Sequence, residues 1–125
     1  MILLIGSIFA ANAFAADTQV RDPRRKLVLL LADAHADTGN AALPAFAAQY
    51  LAREFRVATV NGSMANDNHS FDRIEEIVDA DVLLVSVARR APPKAQLEVI
   101  RRHVAAGKAV VGIRTANHAF AVSKG

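Results

Sequence analysis

Three short stretches hold the residues best equipped for chemistry: "ADAHADTGN" (Ala32–Asn40), "SVARRAPP" (Ser86–Pro93) and "IRTANHAF" (Ile113–Phe120). They offer His35 beside Asp33 and Asp37, the adjacent Arg89 and Arg90, and Arg114 followed by Thr115, Asn117 and His118. A guanidinium presents a rigid fork of donors that suits carboxylates and polyhydroxylated ligands. Histidine changes charge near neutral pH, so His118 could serve as an acid, a base, a metal ligand or a donor to sugar hydroxyls.

Each of these residues also has a plainer use. Asp33, Thr38 and Asn40 read most simply as turn and N-cap residues. A lone histidine in a turn is commonly solvated, and this applies to His35, to His118 and more strongly to His69, which lies in a loop. Of the paired arginines, Arg89 stands slightly ahead of Arg90 as a ligand group, and either could instead pair with an acid at the rim. Arg114, directly after an apolar strand, needs a partner if it is buried, because an unpaired buried charge is costly. A zinc site built from His35, His118 and an acid lacks tight ligand spacing, so no metal is expected. "HADTGN" matches neither glycine-rich phosphate pattern, so no nucleotide cofactor is expected.

These stretches must be positioned by the elements before them. "KLVLLLAD" (Lys26–Asp33), "RVATV" (Arg56–Val60), "DVLLVSV" (Asp81–Val87) and "AVVGIR" (Ala109–Arg114) read as strands, the first, third and fourth apolar enough to be buried on both faces. Between them the spacing predicts a helix over about Asn40–Phe55 with Pro44 in its first turn. A short helix capped by Ser70 runs through Phe71, Ile74, Ile77 and Val78, and a third spans about Pro93–Ala106 with Gly107 as its C-cap. Glu98 and Arg102 stand i, i+4 on that last helix. The order β-α-β-α-β-α-β predicts an α/β fold: a flavodoxin-like, three-layer parallel sheet with helices on both faces. In such a sheet ligands bind outside the carboxyl ends of the strands. A flavodoxin-like order makes the first, third and fourth strands neighbours, which would bring the three chemical stretches together.

At 125 residues the chain suits one domain. Hydrophobic residues make up 53% and the formal charge is +3. The basic spots "RDPRRK" and "IRRH" carry no interleaved aromatics, so nucleic-acid binding is not expected. Residues 1–15, "MILLIGSIFAANAFA", are uncharged and end in Ala-Phe-Ala, which suits signal-peptide cleavage before Ala16, although the usual basic start is missing. The stretch is shorter than the roughly 20 residues of a membrane-spanning helix. Residues 1–15 are therefore read as a signal peptide, 16–25 as a linker and 26–125 as the domain. A periplasmic or secreted protein with no membrane attachment after cleavage is expected, and a homo-oligomer is compatible with it. The absence of cysteine agrees with export. Because "TANHAFAVSKG" leaves the fourth strand without a covering helix, the domain is expected to be the front part of a larger one, incomplete at its C-terminus.

The stretches "LVLLLADAHADTGNAALPAFAAQYL" and "DADVLLVSVARRAPPKAQLEVIRRHVAAGKAVVGIRTANHAF" resemble the ThuA-like (trehalose-utilisation) proteins of the class I glutamine-amidotransferase-like superfamily. The resemblance runs over about Lys26–Phe120 and implies a flavodoxin-like sheet and a role in the metabolism of trehalose or related, oxidised disaccharides. The amidotransferases themselves present a cysteine nucleophile in a "G-I-C-x-G-H" elbow. Gly112-Ile113-Arg114-Thr115-Ala116 lies at that junction with Arg114 in the nucleophile's place, and the chain has no cysteine. Glutamine hydrolysis by a cysteine triad is thereby excluded. The resemblance implies a small carbohydrate bound by Arg89, Arg90, Arg114 and Thr115, with His118 as the acid or base; His35, taken from its place at the end of the first strand, is added as a substrate-binding residue. A sugar-binding or interaction domain without catalysis, or an inactive fragment, is the alternative expectation.

Overall fold

The computed structural model describes residues 21–32, 39–63, 65, 68–114 and 116–120. The proposed signal peptide, Asp33, His35, Asp37, Thr38 and Thr115 lie outside the described residues. Four strands form one parallel sheet: β1 (Arg25–Ala32), β2 (Phe55–Asn61), β3 (Val82–Val87) and β4 (Ala109–Gly112), in the order β2-β1-β3-β4. This is the flavodoxin-like order, and it makes β1, β3 and β4 neighbours. Helix α1 (Gly39–Phe46) follows β1, and helix α2 (Lys94–Ala105) joins β3 to β4.

Strand β1 is the centre of the molecule. Its side chains alternate between two apolar clusters, as the two-residue period of a strand requires. Leu27, Leu29 and Leu31 pack on Ala47, with Leu43 and Leu51 beside them, on the α1 face. Val28, Leu30 and Ala32 join Val60, Leu83, Val85, Val87, Ile77 and Ile100 on the opposite face. A strand covered on both sides can be continuously apolar, which is why "LVLLLA" shows no polar alternation. The result is three layers.

Four sequence expectations change. The predicted helix over Asn40–Phe55 stops earlier: α1 widens into a π turn over Ala47–Leu51, and Phe55 opens β2. Pro44 lies in the second turn of α1 rather than the first, where its missing N–H removes one helical bond. Ser70 caps no helix. Its N–H and hydroxyl both donate to Asn68 Oδ1, and the helix shrinks to a 3₁₀ turn over Ile74–Ile77 entered through Arg73 in the left-handed region. Phe71 is instead buried in a bridge to Gly62, and Gln96 of α2 reads its backbone like a strand, accepting from Phe71 N and donating to Phe71 O. Finally, β4 is not buried. All four of its residues are exposed, with Val110 and Val111 at 46%, because it is an edge strand paired only with β3. An open groove of about 710 Å³ lies beside it, walled by Leu97, Ile100 and Val104 of α2 and floored by Leu83 and Val85.

Two other readings hold, both on α2. Gly107 follows α2 with φ +73°, the left-handed position that ends a helix, and Glu98 faces Arg102 at 3.9 Å. No helix among the described residues is long and apolar enough to cross a membrane.

At the amino end of the sheet, Lys26 is buried on β1 and held by Glu76 Oε2 at 2.7 Å and by Asp79. Arg73 meets the other Glu76 oxygen at 2.6 Å. Burial acts to lower the Lys26 pKa, but its hydrogen bonds to Asp79 and Glu76 prevail and raise it. Hydrogen bonds from Lys26 and then Arg73 hold the Glu76 carboxyl down at about 2 instead of 4.5. A carboxyl lowered by folding stabilises the protein above its unfolded value, and that contribution fades as pH falls through the folded value. The chain is therefore expected to lose about 1 kcal/mol from Glu76 between about pH 4.5 and pH 2. Urea denaturation across this interval checks it: in Glu76→Gln this part of the pH dependence should vanish, and an unchanged slope would refute it.

Candidate functional site

The carboxyl ends of the strands form one crest. The chain passes from β1 to β2 on one side and then crosses back over β1 to β3 on the other, so the strand order reverses between β1 and β3, where parallel sheets open a crevice. The loops on this crest are tied to one another by backbone bonds. Gly62 N donates to Leu31 O at 2.8 Å and Ala88 N to Ala32 O at 3.0 Å. Arg89 N donates to His118 O at 3.0 Å and Arg90 N to Ala119 O at 2.8 Å. The turn after β3 and the short 3₁₀ helix after β4 (Ala116–His118) are thus one unit.

Arg89 and Arg114 occupy matching places in that unit. Each stands just past the end of its strand, each is exposed, and each adopts the left-handed conformation, with φ of 49° and 56°. Ile113 N donates to Val85 O at 3.0 Å and Ala116 N to Ile113 O at 3.2 Å, so the backbone turns sharply at Arg114. For a residue with a Cβ this conformation costs about 1 kcal/mol or more. Arg114 is exposed, so the charge directly after this strand is not a buried one.

The remaining candidates divide. Arg90 is half-buried, and its Nη1 donates to Ser63 O at 2.6 Å and Asn68 O at 3.2 Å, fastening the loop after β2. That is a structural task. The His118 imidazole is exposed and, among the described residues, makes no hydrogen bond or ion pair, while its carbonyl serves Arg89. Ser86 is buried within β3 rather than on the crest. His35 and Thr115 belong to the same strand ends by sequence and lie outside the described residues. Among the described residues no three histidine, aspartate or glutamate side chains gather as a metal-ligand set.

Two histidines have roles that the sequence did not show. His69 Nδ1 accepts from Ala91 N at 2.9 Å. His103, which entered the sequence reading only as part of the basic spot "IRRH", is buried, with Nε2 3.0 Å from Ala109 O and Nδ1 without a hydrogen-bond partner. The only signal for His103 was its place next to Val104 and one turn after Ile100, on the edge of the apolar stripe.

The fold and crest define an open parallel α/β protein with a flavodoxin-like strand order. Comparison with family models, with curated proteins and with solved structures finds no match for this chain.

Proposed function

We propose that this chain is an exported, ThuA-like protein of carbohydrate metabolism that holds trehalose or a related, oxidised disaccharide at the crest of its sheet. The observation that carries the proposal is the pair of left-handed arginines, Arg89 and Arg114, just past the ends of adjacent strands, with the Arg89 amide bonded to the His118 carbonyl of the turn that follows Arg114. Two guanidiniums on a hydrogen-bonded platform offer forked donors to vicinal hydroxyls or to a carboxylate. Strained, non-glycine positions persist where the surrounding structure enforces them, and they concentrate at ligand sites. Arg90 supports this platform by holding the neighbouring loop. His118 supplies the acid or base, and His35 and Thr115 complete the reading as substrate contacts. The junction after β4 is an elbow that grips where an amidotransferase attacks, since the sequence contains no cysteine. Export to the periplasm or beyond rests on residues 1–15, and the partner is a small carbohydrate rather than nucleic acid or a membrane.

A second reading, sugar binding without turnover, is favoured by one observation. Among the described residues nothing orients the His118 ring, whereas a general base is ordinarily held in line by a partner. Calorimetry with trehalose and its oxidised derivatives, coupled to product analysis by mass spectrometry, separates the two. Under the first reading Arg114→Ala weakens binding about tenfold or more, the worth of one charge-assisted hydrogen bond, and His118→Ala abolishes turnover while binding persists. Under the second, Arg114→Ala has the same effect and no product forms with any variant. Unchanged binding in Arg114→Ala would overturn both.

A further inference from the structure

The loop after β2 is fastened to the turn after β3, although β1 lies between those two strands. Whatever holds these segments together therefore straps the carboxyl end of β1, beside the crevice. Two fastenings are in place. Arg90 Nη1 donates to the carbonyls of Ser63 and Asn68, and Ala91 N donates to His69 Nδ1 at 2.9 Å. The loop is also stiffened from within, by Ser63 N donating to Ser70 O at 2.8 Å and by Ser70 donating to Asn68 Oδ1. Ala91 is followed by Pro92 and Pro93, which have no N–H, so its amide is the last backbone donor before α2.

The second fastening depends on protonation state. Nδ1 accepts a hydrogen bond only when it carries a lone pair, which means a neutral ring with its proton on Nε2. A second proton converts Nδ1 into a donor, and two donors then face each other. We propose that His69 is a pH-sensitive latch: neutral, it closes the β2 loop onto the turn after β3, and protonated, it lets that loop go. Among the described residues, the charged side chains on the segments that meet here are Arg89 and Arg90 in the turn, Lys94 at the start of α2, and Asp72 and Arg73 following the loop; Asp67, in the loop sequence itself, lies outside the described residues. Protonation removes the acceptor at Nδ1, and that loss by itself opens the latch. Arg90 keeps its hold on Ser63 and Asn68, so release frees the His69 end of the strap without unfolding the crest. The latch rests on this geometry alone and does not depend on which molecule the crevice takes.

Amide exchange measured by NMR on the full chain, without ligand and corrected for intrinsic exchange, tests it between pH 8 and 5, where histidine ordinarily titrates. The protection of Ala91 N–H is expected to fall about fivefold or more, the worth of one hydrogen bond. Its midpoint should follow the ring nitrogen shifts of His69. In His69→Asn, whose Oδ1 stands in for Nδ1 and does not titrate, protection should stay constant. In His69→Ala it should sit at the low value throughout. Constant protection of Ala91 through the His69 titration, or the same fall in both variants, would overturn the latch.

Discussion

Arg89→Gly is expected to leave the chain as stable as the parent or up to about 1 kcal/mol more stable, and to weaken sugar binding ten- to a hundredfold. The two effects have separate causes. Arg89 sits at φ 49°, where a Cβ is crowded and glycine is not. Glycine's greater freedom in the unfolded chain offsets part of that gain, which keeps the net effect small. The hydrogen bond from Arg89 N to His118 O is made by the backbone and survives the change. What is lost is the guanidinium, worth about 1.5–3 kcal/mol where it contacts a polar ligand. Thermal denaturation and calorimetry on the same sample measure both quantities. Arg89→Ala supplies the contrast, with binding lost equally and no relief of strain. If Arg89→Gly binds like the parent, Arg89 is a turn residue and the gripping platform is wrong.

Leu30→Ala is expected to cost about 2–5 kcal/mol, out of a total stability of about 5–15 kcal/mol for a domain of this kind. Leu30 is fully buried at the centre of β1, in register with Val60 of β2 and Val85 of β3. Neighbouring backbones on both sides prevent the sheet from collapsing into the space left. Val110→Ala removes aliphatic bulk from another strand and is expected to cost about 0.5 kcal/mol or less, because Val110 is 46% exposed at the sheet edge. Urea midpoints of the two variants should therefore differ severalfold in their shift. Equal shifts would mean that β4 is covered in solution.

That comparison marks the limit of what the sequence could convey. "VLLL" in β1 and "VV" in β4 carry the same apolar signal, yet one lies at the middle of the sheet and the other at its rim. Apolar runs reveal that a strand exists, and burial depends on how many neighbours it acquires. The same reason explains His103: a polar residue on a helix becomes buried when the start of β4 folds against it. Ser70 and Phe71 show the converse. Local capping chemistry favoured a helix, and the side chain of Gln96, 25 residues further on, offered the Phe71 backbone a better partner.

The sequence by itself determined the alternation of strands and helices, the parallel sheet, the helix end at Gly107 and the absence of a cysteine nucleophile. These follow from local periodicity, from glycine's access to positive φ and from composition, none of which needs a distant contact. Tertiary structure alone decided that Arg90 fastens a loop while Arg89 faces outward, that Arg114 is exposed and left-handed, and that His69 closes on Ala91. Each of these depends on which loops the order β2-β1-β3-β4 brings side by side, and adjacency across a sheet is fixed only when the strands have paired.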